Sequence, residues 1–71
     1  MKRRLNLINA RKENGLTQTD VAKTLGIGLR SYKQLEYGER VGNVEYWDKL
    51  EEIFNVHQRI LREVYDLKAD Q

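Results

Sequence analysis

Leu16-Thr17-Gln18-Thr19-Asp20-Val21-Ala22-Lys23-Thr24-Leu25-Gly26-Ile27-Gly28-Leu29-Arg30-Ser31-Tyr32-Lys33-Gln34-Leu35-Glu36-Tyr37-Gly38 is the stretch that decides the fold. Thr17 opens it as a helix cap, because its hydroxyl can accept from the free amides of a first turn. Asp20, three residues on, can reach back to the cap amide. Leu16 before the cap and Val21 after it suit a hydrophobic staple, and Val21, Ala22 and Leu25 make one apolar stripe. Gly26 ends the stripe, so this helix spans only about 8 residues and cannot stand alone in water. After Gly26-Ile27-Gly28 a second helix is predicted over residues 29 to 37. Tyr32 and Leu35 lie on one of its faces, Arg30, Lys33 and Gln34 on the other, and Gly38 stops it.

The flanking segments are helical too. Leu5, Ile8 and the stem of Lys12 recur at helical spacing and predict a helix over residues 4 to 13, closed by Asn14-Gly15. Asn43 can cap a helix over residues 44 to 54, whose Val44, Trp47, Leu50, Ile53 and Phe54 form a broad apolar face, and Asn55 closes it. A last helix is predicted over about 57 to 66, with Ile60, Leu61, Val64 and Tyr65 turned inward or toward a partner, and Lys68 to Gln71 as a fraying end. With no proline, repeat or low-complexity run, the expectation is one all-α domain over residues 1 to 71, its core about 4 to 66.

A chain of 71 residues buries a modest core and needs tight packing or a partner subunit. The absence of cysteine removes disulfides, thiolate metal sites and cysteine nucleophiles, and favours a reducing cytosol over a secreted setting. The basic start, Met1-Lys2-Arg3-Arg4, is followed by polar residues and no long apolar run, so a soluble, unprocessed chain with no membrane partner is expected. Net charge is +2, but it is distributed unevenly. Residues 1 to 40 carry nine basic and four acidic side chains, a balance of +5, and the remainder stands at −3. The first part suits a polyanion, where neutralised phosphates release counterions; the alternative is that these charges only solvate helix faces.

Two short helices joined by a tight glycine turn, the second carrying polar residues outward, are the sequence form of a helix-turn-helix. Residues 16 to 38 resemble the Cro/repressor (XRE-type) family of phage and bacterial transcription regulators, and the likeness extends over about residues 5 to 62. The resemblance implies a compact five-helix, lambda-repressor-like domain. It also implies that the second helix of the motif enters the major groove of double-stranded DNA, with Leu29, Arg30, Lys33 and Gln34 facing base edges. Arginine can bond both acceptors of guanine, and glutamine can pair donor and acceptor with adenine. Lys33 suits a base or a phosphate, while Leu29 suits a thymine methyl or a protein surface. Gln18 at a helix start matches a phosphate-binding glutamine of the family, with Thr17 beside it. Asn43, the amides after it, and Arg40 would form a second phosphate clamp; Lys2, Arg3 and Arg4 suit either a short arm reaching the backbone or a disordered, solubilising terminus. Arg11 and Glu36 match a structural ion pair in relatives. Gly28 departs from the pattern, standing where relatives place a hydroxyl cap.

Other chemistry is not expected. His57 is the only histidine, Gly26-Ile27-Gly28 is too short and lacks the lysine of a nucleotide loop, and adjacent Glu51 and Glu52 diverge on a helix. No enzyme activity, cofactor, metal or small-molecule ligand is anticipated. Trp47 and Phe54 are assigned to the core rather than to base stacking. Ile60, Val64, Tyr65 and Leu67, with Tyr46, exceed what so small a core can bury, and predict a homodimer interface along the last helix and tail. The expected role is a repressor on a pseudo-palindromic operator. The rival is a protein-binding adaptor, an antitoxin or anti-regulator, working through the acidic, apolar C-terminal half.

Overall fold

The computed structural model describes residues 1–67. The chain runs β1 (Lys2–Arg3), α1 (Leu5–Glu13), α2 (Gln18–Leu25), α3 (Leu29–Glu36), α4 (Val44–Phe54), α5 (Gln58–Leu61) and β2 (Tyr65–Asp66). The fold is the expected helical domain, with five helices among the described residues, and α2 and α3 form the helix-turn-helix. The fraying expected of Lys68 to Gln71 falls outside the described residues.

The centre is built from Leu7 and Ala10 of α1, Val21, Ala22 and Leu25 of α2, Tyr32 and Leu35 of α3, Trp47, Leu50 and Phe54 of α4, and Leu61 of α5. Thr17 caps α2 as its sequence predicts: its Oγ1 accepts from the Asp20 amide at 3.0 Å, and the Asp20 carboxylate accepts from the Thr17 amide at 2.9 Å. Gly26 then turns the chain at φ +74°, in the left-handed region where a side chain is disfavoured. α3 starts at Leu29 with no side-chain cap at Gly28, so packing of Tyr32 and Leu35 must hold its first turn.

The hydrogen bond that the Thr17 amide donates to it lowers the pKa of the exposed Asp20 carboxyl below its ordinary 3.8. A depressed folded pKa means that this contribution to stability is present above the unfolded value and is lost as pH falls through the folded one. Asp20→Asn is therefore expected to reduce the fall in melting temperature between pH 5 and pH 3, tested by thermal melts of both proteins.

Four expectations need correction, the first at Val44, which was expected on the apolar face of α4 and is exposed, the buried side chains there being Trp47, Leu50 and Phe54. In α1 the buried side chains are Leu7, Ala10 and Arg11; Leu5 and Ile8 are half-buried and Lys12 is exposed. Apolar residues at 5, 7, 8 and 10 fit two overlapping helical stripes, and the ion pairing of Arg11 selects the other one. The last helix ends at Leu61 instead of continuing to residue 66, and β2 pairs antiparallel with β1 in the register Lys2↔Asp66 and Arg3↔Tyr65. Val64 and Tyr65 have side chains that suit extended backbone, and the basic start supplies a strand for them to pair with. The start of the chain is consequently no free arm: Lys2 and Arg3 form β1, and Arg4 is buried.

Arg4 connects four parts of the molecule. Its Nη1 donates to the carbonyls of Leu35 at 2.6 Å and Arg40 at 2.8 Å, and its Nε donates to the Arg62 carbonyl at 3.0 Å. The guanidinium also lies 5.0 Å from the ring centre of Trp47. Burial first, and the nearby Arg62 charge second, lower its pKa from the ordinary arginine value. The carbonyl oxygens partly offset that unfavourable burial.

Candidate nucleic-acid interface

Alternation of apolar and polar residues along α3 places Tyr32, Leu35 and Glu36 inward. Leu29 and Arg30 are exposed, and Lys33 and Gln34 half-buried, on the outward side. The fold thus brings together on one helix the four side chains that the resemblance assigns to base edges. None of them is needed for the core.

A buried carboxylate holds the elements around this helix. Glu36, only 1% exposed, accepts from Arg11 Nε at 2.6 Å and from the Gln18 amide at 2.9 Å. Arg11 Nη1 donates in addition to the Leu16 carbonyl at 3.0 Å. One carboxylate therefore fixes α1, the start of α2 and the end of α3 together. Burial alone would depress the pKa of Arg11, but the hydrogen bond to Glu36 and its charge outweigh this and raise it above the ordinary arginine value. Tyr32 is completely buried nearby, and burial, reinforced by Glu36, pushes its pKa up so that the phenol stays neutral.

The flanking polar residues are placed as follows. Thr17 is occupied as a cap. Gln18 spends one N–H on Glu36, leaving a second N–H and its oxygen at the amino end of α2. Asn43 Oδ1 accepts from the Tyr46 amide at 3.0 Å and caps α4, leaving its own NH2 free among the described residues. Arg40 is exposed, and its Nε donates to Gln34 Oε1 at 3.1 Å. Sequence reasoning found each of these residues but neither side-chain bond, from Gln18 to Glu36 or from Arg40 to Gln34. Gly42, just before Asn43, was also missed. It has φ +80°, and a Cβ there would lie 2.9 Å from Leu35 Cδ2 and 3.0 Å from Trp47 Nε1, so the loop into α4 can pass only as glycine.

Ile60, Val64, Tyr65 and Leu67 are all exposed, on α5, β2 and the residues beside β2. Tyr46 is half-buried against the core. Among the described residues no cluster of three potential metal ligands occurs, and no helix is long and apolar enough to cross a membrane.

A helix-turn-helix whose second helix presents arginine, lysine and glutamine outward defines a DNA-binding domain. A family model described as Helix-turn-helix matches residues 7–57, and the chain belongs to this Cro/C1-type, XRE family. It is a DNA-binding transcription regulator of that type. No curated protein and no solved structure matches the chain.

Proposed function

We propose that this protein is a sequence-specific repressor that binds double-stranded DNA in the bacterial cytosol as a homodimer. The observation that carries this is the set Leu29, Arg30, Lys33 and Gln34 on the outward side of α3, none of it required by the core. Arg30 would read guanine, Gln34 a second base, Lys33 a base or phosphate, and Leu29 a thymine methyl. Gln18 with Thr17, and Asn43 with Arg40, would grip the backbone on either side. The exposed Ile60, Val64, Tyr65 and Leu67 support a self-complementary interface, which would set two half-sites about 34 Å apart.

In vitro selection from random duplex DNA tests this reading, and a two-fold symmetric site is the expected result. Arg30→Ala and Gln34→Ala should each weaken binding to that site by roughly five- to hundredfold, with melting temperatures unchanged. If neither variant alters DNA retention, the adaptor function through the C-terminal half takes its place. Uniform binding to site and competitor, falling steeply with salt, would instead mean binding without sequence preference.

A further inference from the structure

We infer that Arg40 sets the base preference of Gln34, turning it from an adenine reader into a guanine reader. This rests on the DNA-reading role proposed above for α3. Arg40 Nε and Gln34 Oε1 are 3.1 Å apart. A guanidinium has donors only, so the oxygen corner of the Gln34 carboxamide must be the one facing it. The NH2 corner is then turned away, and neither of its N–H groups has an acceptor among the described residues.

The loop backbone holds this arrangement in place. The Glu39 amide donates to the Gln34 carbonyl at 2.9 Å, folding the chain after α3 back over Gln34. The Arg40 carbonyl is bonded by buried Arg4 at 2.8 Å. Arg40 therefore starts from a fixed point beside Gln34, and little ordering is left for binding to supply. Its four remaining N–H groups, on Nη1 and Nη2, stay available for a backbone phosphate. One side chain can thus grip the backbone and orient a base contact together.

The consequence follows from the edges of the bases. Adenine offers N7 as acceptor and N6 as donor, and a glutamine reads it by presenting both corners of its amide. Guanine offers two acceptors, N7 and O6, which match an amide whose oxygen is already held and whose NH2 is free. Held by Arg40, Gln34 favours guanine; released, it can turn its oxygen to adenine.

The experiment is selection from random duplex DNA with the full chain and with Arg40→Ala, Gln34→Ala and the double variant, followed by affinity measurements on single-base changes. The wild-type site should contain one base pair where guanine is preferred and where the preference disappears in Gln34→Ala. At that pair Arg40→Ala should shift the guanine-to-adenine ratio toward adenine on the order of tenfold, leaving other positions unaltered. In the Gln34→Ala background the loss of Arg40 should change no base preference. The loss of a phosphate contact would weaken binding to all sequences alike and lower the salt slope by about one, and does not by itself bear on preference. Identical preferences for wild type and Arg40→Ala would overturn the inference while leaving the DNA-reading function standing. Failure of the wild type to enrich any site would overturn both. Because the Arg40 side chain is exposed and its carbonyl is what Arg4 holds, the fold should survive; Arg40→Met, which keeps the aliphatic stem, should give the same shift.

Discussion

Replacing Arg4 with methionine is expected to lower stability by about 3–5 kcal/mol, enough to unfold most of the chain. Each hydrogen bond from a charged donor contributes about 1.5–3 kcal/mol, and bonds from one side chain are not simply additive. Three such bonds end on Leu35, Arg40 and Arg62, and the Leu35 carbonyl lies in a buried environment where no water replaces the lost donor. A domain near 70 residues has only about 5 kcal/mol in total. Arg4→Lys should rescue little, since one ammonium cannot span three carbonyls set apart as these are. Arg3→Met is the control. Its guanidinium rests on the Tyr37 ring at 4.3 Å and, among the described residues, bonds only the neighbouring Lys2 carbonyl. Urea denaturation followed by circular dichroism decides the matter, and equal midpoints for the Arg3 and Arg4 variants would refute it.

The second large effect is expected at Arg11. Arg11→Met leaves Glu36 as a buried carboxylate holding only the Gln18 amide, and breaking such a pair costs about 3–5 kcal/mol. Lys12→Met, one position along the same helix and exposed, should change stability by less than about 0.5 kcal/mol. The same Arg11 substitution should also weaken DNA binding, because Glu36 positions Gln18 at the start of α2. Equal melting temperatures for the two variants would show that the pair contributes nothing.

What could be read from the sequence follows how local its cause is. The limits of α2 and α4 were legible because Thr17, Gly26, Asn43 and Asn55 act on their own backbone and its neighbours. The outward face of α3 was legible because Tyr32 and Leu35 set its rotation. The last helix was not: Ile60, Leu61, Val64 and Tyr65 have helical spacing, but the chain beyond Leu61 takes the form of a strand only because β1 is there to pair with it. Arg4 was indistinguishable from Lys2 and Arg3, since nothing local says which of three adjacent cations will be buried. Arg11 and Glu36 were matched through the family resemblance and not through spacing. The bond from Arg40 to Gln34 depends on the path of the loop after α3, which the sequence shows only as the glycines that bracket it.

The ribbon of β1 and β2 has a kinetic consequence. It pairs residues from the two ends of the described chain, while the helices depend on contacts much closer along the sequence. Contacts that close a long loop form late, because the entropy of closure must be met before they return anything. The helical body should therefore condense first and the ribbon latch last. A latch of two residues per strand also reopens more readily than the body unfolds. With the proposed second copy seated on the same tail, latching and assembly become one concentration-dependent step, so dilution would loosen the ends of the protein before its reading helix.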